Sequence, residues 1–388
     1  MQSKLELSFV EDMKSWRRDF HKFPELGFKE FRTADIVANK LREFGLEVYE
    51  KFGNTGVVGV LRKGSSERTI ALRADMDALP ITEKNTFPHK SEHDGVMHAC
   101  GHDGHVTMLL GAAKVLAQDA DFDGTVVFIF KPDEEFGRGA QAMIDENIFE
   151  KFSIEAIYGM HNFPSLKAGN FAVRTGAIMG SEDRFEIKIM GKGSHIALPH
   201  MSVDPITISS EIVLAIQSVL SRKLNPIERA VCSITNIEVK GARNVIPDEV
   251  ILHGGARTFS SDVQDLIETS LEKIAAGICS AHDAIFEYSY VREFVATVNT
   301  SKETEIATEV ASELVGASRV NRDCDPVLTS EDFGVFLLHK PGCYILLGNG
   351  GDGPGGCGLH SPNYDFNDDI LSIGTSYWVS LVKDQLPK

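Results

Sequence analysis

Residues 69–77 read TIALRADMD, a short, mostly apolar run that ends in two aspartates, Asp75 and Asp77. A strand buried on both faces shows such a near-continuous apolar run rather than an alternating one, and it keeps its charged residues for its ends. The same texture recurs on either side, in GVVGVL (56–61), GTVVFIF (124–130) and EAIYGMH (155–161). Between the last two aspartates and GTVVFIF lies GHVTMLLGAAKVLAQD (104–119), long and apolar enough for a buried helix. Strands alternating with helices predict an α/β layer around a mostly parallel sheet. Upstream, Ile36, Val37, Leu41 and Phe44 recur at three- and four-residue steps, and Gly45 stands where a helix would end.

The texture changes near Gly180. RFEIKIMGKGSH alternates charged and apolar residues, as a strand with one face in water does. The order that follows is βαββαβ, which predicts a self-contained α+β domain at 181–293, inserted into a catalytic domain made of 1–180 and 294–388. Gly180 and the residues around Phe294 are the expected hinges. A length of 388 residues and 43% hydrophobic content suit two cores of ordinary size.

The formal charge of −17 argues against binding to phosphate backbones or anionic membranes, which needs basic surface. No apolar run reaches the roughly 18 residues of a membrane span, and the first residues lack the apolar core of a signal peptide. Six scattered cysteines without a C-x-x-C pair fit a reducing compartment, so the cytoplasm is the expected location.

The polar residues at the strand ends carry the chemistry. Ligands in open α/β sheets bind beyond the carboxyl ends of strands. There the sequence sets Asp75 and Asp77, then Glu134 and Glu135 after GTVVFIF, and His161 at the end of EAIYGMH. HACGHDGH (98–105) brings Cys100 and His102 to the same edge at a helix start, and His360 follows far along the chain. One thiol, several imidazoles and carboxylates converging on one edge suit a divalent metal with mixed N, O and S donors, favouring zinc, manganese, nickel or cobalt over magnesium or calcium. The competing reading makes Cys100 a nucleophile activated by His102 or His105 and the helix N-terminus. It leaves the paired glutamates and His161 without a role. His98 and His105 are left outside the ligand set, either supporting the ligands from behind or simply packing.

RADMDALP, HACGHDGH, KPDEE, YGMHN, GSHIALPH with DPI, RNVIPDEV, SEDF and LHSPNYDFND occur in this order along nearly the whole chain. Together they resemble the amidohydrolase branch of the aminoacylase/carboxypeptidase-type dimetal peptidases, which includes hippurate hydrolases, indole-3-acetyl-amino-acid hydrolases and N-acyl-amino-acid amidohydrolases. The resemblance implies two divalent metal ions, manganese or zinc first and nickel or cobalt next, bridged by Cys100. It implies His102, Glu135, His161 and His360 as further ligands, Glu134 as general base, and Asp77 as the residue that orients a ligand imidazole. The inserted domain is then a lid and dimerisation domain. His195 steadies the oxyanion from its own or a partner subunit, and Asn244 and Arg257 bind substrate, Arg257 as a clamp for a carboxylate. The implied reaction is hydrolysis of an N-acyl amino acid, by a homodimer or higher homo-oligomer.

Two departures from the family pattern stand out. KPDEE replaces the usual QPAEE and puts Lys131 and Asp133 beside the base, with opposed effects on its acidity. Ile196 and Leu198 are bulkier than the small residues common there, which bears on acyl specificity.

Overall fold

A computed structural model describes residues 7–118, 121–351 and 355–388. The chain forms two compact units: one of Met1–Ile178, Val298–Asp325 and Asp332–Lys388, the other of Met179–Thr297 and Pro326–Glu331.

The first unit is built on an eight-stranded sheet in the order Glu47–Phe52, Gly56–Lys63, Gly124–Lys131, Thr69–Asp75, Ala156–Phe163, Gly342–Gly348, Phe171–Ala172 and Val320–Asn321. The central four strands, Gly124–Lys131 through Gly342–Gly348, run parallel. Antiparallel pairs join Gly56–Lys63 to its two neighbours on one flank and Phe171–Ala172 to Gly342–Gly348 on the other. Thr69–Asp75, Gly124–Lys131 and Gly342–Gly348 are buried at every position, which explains their unbroken apolar runs. Leu72, Phe128, Tyr158 and Ile345 join the main core with Met13, Leu41, Leu109 and Trp378 from four helices. On the other face, Tyr344 meets Phe333, which packs on Phe336 and through it on Phe149.

Helix Phe31–Glu43 ends as its sequence predicts. Gly45 takes φ +87°, and the N–H of Leu46 returns to the carbonyl of Leu41 at 3.0 Å, closing the last turn.

The second unit is a four-stranded antiparallel sheet, ordered Ala230–Val239, Glu249–Thr258, Glu182–Met190, Ile285–Phe294, with helices Pro205–Ser218 and Ser261–Ala281. Ile187, Ile189, Ile208, Ile212, Leu252 and Leu271 form its core. The alternation in Glu182–Met190 follows directly, since every second residue faces that core. Asp204 of the DPI stretch caps its helix, accepting the Ile206 N–H at 2.9 Å, with Pro205 in the first turn. Among the described residues no helix is long and apolar enough to cross a membrane.

Candidate metal centre

The parallel strands bring their ends to one edge of the sheet, and the predicted donors of the first unit meet there. Asp75 closes its strand and Asp77 follows two residues later, both buried. Helix His102–Gln118 begins at the same edge after Gly101, at φ +94°. A Cβ on Gly101 would lie 2.2 Å from Asn162 Oδ1 and 2.6 Å from the Tyr364 hydroxyl, so both conformation and space demand glycine between the two donors Cys100 and His102.

Each donor is aimed by a specific partner. His102 Nδ1 donates to the Asp77 backbone carbonyl at 2.8 Å, which leaves Nε2 as the lone-pair nitrogen. His161 Nδ1 donates likewise to the Asn162 carbonyl at 2.7 Å, and its Nε2 lies 3.5 Å from Cys100 Sγ. The Asp77 carboxylate, 3.4 Å from His102 Nδ1, accepts the Glu135 backbone N–H at 3.0 Å. His360 sits in a loop at φ +63°, tied by its N–H to the Ala99 carbonyl at 2.8 Å, and its Nε2 stands 3.3 Å from Glu135 Oε2. Among the five donor triplets of the described residues, three are built from predicted ligands and the base: Cys100–His102–His161, Cys100–Glu135–His360 and His102–Glu134–Glu135, each with its ligand atoms within 4.8 Å of one another. Cys100 belongs to two of them, as does Glu135.

The donor set fits divalent metal. His102 Nε2 and Glu135 Oε1 are both buried without a hydrogen-bond partner among the described residues, and they face each other across 4.0 Å. That gap is too long for a hydrogen bond and short enough for both atoms to reach one ion through metal–ligand bonds of about 2.0–2.2 Å. Leaving two such atoms unpaired in a protein interior costs about 1–3 kcal/mol each unless something fills the gap. The electrostatics agree. Burial opposes the His102 imidazolium, but Asp75, Asp77 and Glu135 outweigh it and raise the group to about 10. Burial, with Asp77 and Asp75 close by, pushes Glu135 up to about 8 despite His102. Protons are thus drawn to a site crowded with carboxylates, and a bound cation would take their place.

The remaining residues sort themselves. His105 uses both nitrogens inside the protein: Nδ1 lies 2.6 Å from Asp75 Oδ1, and Nε2 meets Asn162 Oδ1 at 2.7 Å and its N–H at 3.0 Å. His98 is buried with neither nitrogen hydrogen-bonded among the described residues, and burial lowers it to about 4. The two extra charges of KPDEE each have a dedicated partner. Lys131 Nζ lies 2.8 Å from Asp332 Oδ2, and the Asp133 carboxylate takes Arg138 Nε at 2.6 Å and Nη2 at 2.8 Å. Asp332, from the SEDF stretch, also accepts Arg73 Nη2 at 2.8 Å, and Arg73 in turn reaches Asp75 at 2.5 Å. Asp133 and Arg138 are near neighbours in the chain, but nothing in the spacing singles out Asp332, whose partners lie on strands far away in the sequence.

In the second unit, His195 and Asn244 are brought together by a two-stranded ribbon in which Val245 pairs with His195, and the Asn244 carbonyl accepts the Ile196 N–H at 3.1 Å. The Ala197 N–H donates to His195 Nδ1 at 3.1 Å, which places the proton of the neutral ring on Nε2. Arg257 is paired with Glu182 at 2.8 Å and donates to the Leu328 carbonyl at 3.2 Å and to Ser330 Oγ at 3.3 Å. Ile196 and Leu198 are 56% and 48% exposed, so their bulk lies on the surface beside His195.

Comparison with known proteins agrees with this geometry. The chain is 42% identical over 377 residues to hippurate hydrolase of Campylobacter jejuni, covering 97% of each protein. It is 38% identical to thermostable carboxypeptidase 1 of Saccharolobus solfataricus, covering 94% of each. Among solved structures, the YXEP protein of Bacillus subtilis, described as a dinuclear metal binding peptidase from the M20 family, superposes with a TM-score of 0.85 at 31% identity over 97% of this chain and 98% of that one. Residues 71–384, which carry every proposed donor from Asp75 to His360, match the profile of peptidase family M20/M25/M40, and the chain belongs to that family.

Proposed function

We propose that the protein is a metal-dependent amidohydrolase that cleaves the amide bond of N-acyl amino acids, releasing a carboxylic acid and a free amino acid. The observation that carries this reading is the facing pair of buried, unpaired donors, His102 Nε2 and Glu135 Oε1, with the Glu134 carboxylate 3.9 Å from the same nitrogen. In this reading Cys100, His102, Glu135, His161 and His360 would hold two divalent ions. The thiolate and imidazole donors favour manganese or zinc, with nickel or cobalt next. When bound, such a pair supplies a Lewis acid for the carbonyl and a water of lowered pKa.

The chain's own residues do the rest. Glu134, 5% exposed, takes the proton of the attacking water and delivers it to the leaving nitrogen. Asp77 fixes His102 through its carbonyl and Glu135 through its carboxylate, so one residue sets the aim of two ligands. His195, with its proton on Nε2, is the donor suited to a developing oxyanion. Asn244 shares its ribbon and binds the substrate's polar groups. Arg257 clamps the carboxylate of the amino acid, a role that requires exchanging Glu182 for substrate. Cys100, 7% exposed and turned toward His161, serves as ligand rather than nucleophile.

The second unit acts as a lid and as the contact between subunits of a homodimer. One of its two edge strands, Ala230–Val239, leaves Val231, Ile237 and Val239 at 44%, 50% and 42% exposure. The relative named as a carboxypeptidase supports a peptide as an alternative substrate for the same chemistry.

A mass-spectrometric turnover screen of manganese- and zinc-loaded protein tests the proposal. The panel varies the acyl group (acetyl, benzoyl, indoleacetyl) and the amino acid (Gly, Ala, Asp, Glu, Cys, diaminopimelate). Release of a free amino acid from any member is the expected result. No release from protein verified to hold two metals per chain would overturn it, and hydrolysis of dipeptides alone would move the assignment to a peptidase.

A further inference from the structure

Glu134 and Glu135 lie on a tight connection between the strand Gly124–Lys131 and the helix Gly139–Asp145. Such a connection has no ladder to hold it, yet a general base must be fixed to within a fraction of an ångström. The connection is fastened twice.

The inner fastening is Asp332. Its Oδ2 lies 2.8 Å from Lys131 Nζ and accepts the Ala140 N–H at 2.9 Å, so one oxygen gathers the last residue before the connection and the first turn after it. Its Oδ1 accepts Arg73 Nη2 at 2.8 Å, which anchors the carboxylate to the neighbouring strand. Lys131, Arg73 and Asp332 are all buried; burial works against the charged lysine, but the Asp332 carboxylate leads the groups that outweigh it and hold the ammonium above the ordinary lysine value.

The outer fastening is Asp133 with Arg138. Asp133 is buried at φ +50°, a conformation that costs a non-glycine residue roughly 1 kcal/mol or more and persists only when its surroundings hold it. Its carboxylate receives the two guanidinium bonds from Arg138, and its N–H donates to Glu30 Oε1 at 2.9 Å. Its carbonyl accepts from Arg138 N at 3.3 Å and Gly139 N at 3.1 Å. Arg138 is itself held between two rings, its guanidinium 5.0 Å from the Phe28 centroid and 5.3 Å from that of Phe136. The surroundings leave no slack: a Cβ on Gly27 would fall 1.8 Å from Asp133 Oδ1, and one on Gly139 would fall 1.6 Å from the Pro132 carbonyl.

We infer that Lys131, Asp133, Arg138 and Asp332 are positioning residues that fix the turn carrying Glu134 and Glu135. They are given no part in the chemistry itself and act through the turn. The inference rests on the amidohydrolase reading for its consequence on rate, and on geometry alone for its consequence on the turn.

Two arms test it, both on the full chain. The first is hydrogen–deuterium exchange of metal-free protein, read on peptides covering 131–140. The amides of Arg138, Gly139 and Ala140 donate within the two fastenings, and that of Gly137 donates to the Glu134 carbonyl inside the turn they hold. Arg138→Ala removes an exposed side chain and leaves the fold intact; it should speed exchange in this segment about tenfold, with the rest of the chain unchanged. Lys131→Met should do the same from the inner side. The second arm is steady-state kinetics of metal-loaded protein on whichever substrate the screen identifies. Both variants should lose about tenfold in kcat, with KM within twofold and two metals retained, and Arg138→Lys should fall between Arg138→Ala and the wild type. Unchanged exchange in 131–140 for both variants, or wild-type kcat in both, overturns the inference. A wild-type protein that hydrolyses nothing overturns the amidohydrolase reading instead, and the exchange arm still decides this one.

Discussion

His21 offers a quantitative test of the electrostatics behind the metal centre. Its imidazole is buried between two carboxylates, Nδ1 at 2.8 Å from Asp103 Oδ2 and Nε2 at 3.2 Å from Glu83 Oε1. Burial and the nearby Arg17 oppose its charge, but the hydrogen bonds to Asp103 and Glu83 outweigh them and raise it from 6.5 to about 9. Because the folded value lies above the unfolded one, the charged ring stabilises the fold fully below pH 6.5, and that contribution is lost as pH rises through about 9. A rise of about 2.5 units at about 1.4 kcal/mol each gives roughly 3 kcal/mol. The assay is urea unfolding of wild type and His21→Gln, both freed of metal by chelation, at pH values from 6 to 9.5. The chain has two tryptophans, Trp16 and Trp378, and both belong to the first unit, so their fluorescence reports on the unit that holds His21. The stability difference between the two proteins should shrink by about 3 kcal/mol between pH 6 and pH 9.5. A difference that stays flat across the range would show that His21 is not charged in the folded protein, and the reasoning from its two carboxylate partners would be wrong.

Other outcomes follow from the site. Glu134→Ala should cut kcat by a factor of about 10²–10⁴ with metal content intact; loss of metal in that variant would count against its role as base rather than ligand. Cys100→Ser should lower the occupancy of one or both metals, measured by inductively coupled plasma mass spectrometry, and full occupancy with full activity would refute the bridge. Chelation should abolish turnover, and manganese or zinc should restore it. His195→Ala should lower kcat by about 10²–10³ through loss of the oxyanion donor, and wild-type kcat in that variant would remove His195 from the mechanism.

The strands of the larger sheet were legible because they are buried on both faces: TIALRADM and GTVVFIF carry no alternation to be misread. The donors were legible because thiol, imidazole and carboxylate have few reasons to gather at strand ends, and the fold does bring Cys100, His102, Glu135 and His360 together. What escaped was pairing. Asp332 gathers Lys131 and Arg73 from more than two hundred residues away, and no periodicity marks a partner at that distance. The part Asp77 plays was half visible: its carboxylate invited a role beside His102, yet the hydrogen bond to that ring comes from its backbone carbonyl, which no side-chain pattern can announce. Lys131 and Asp133 looked like two charges acting on Glu134; Glu134 is indeed among the carboxylates that raise Lys131, but each of the two charges also has a counter-ion, Asp332 (shared with Arg73) and Arg138.

The route of the chain through the two units constrains how the protein can be made. Residues 326–331 belong to the second unit although some thirty residues of the first intervene, and Arg257 and Glu182 grip them at Leu328 and Ser330. As the ribosome releases the chain from its N-terminus, the second unit therefore waits for residue 331 before its last segment can dock. Cutting out 179–297 as a single cassette would strand that segment without its partners. A graft of the second unit onto another scaffold would need both pieces.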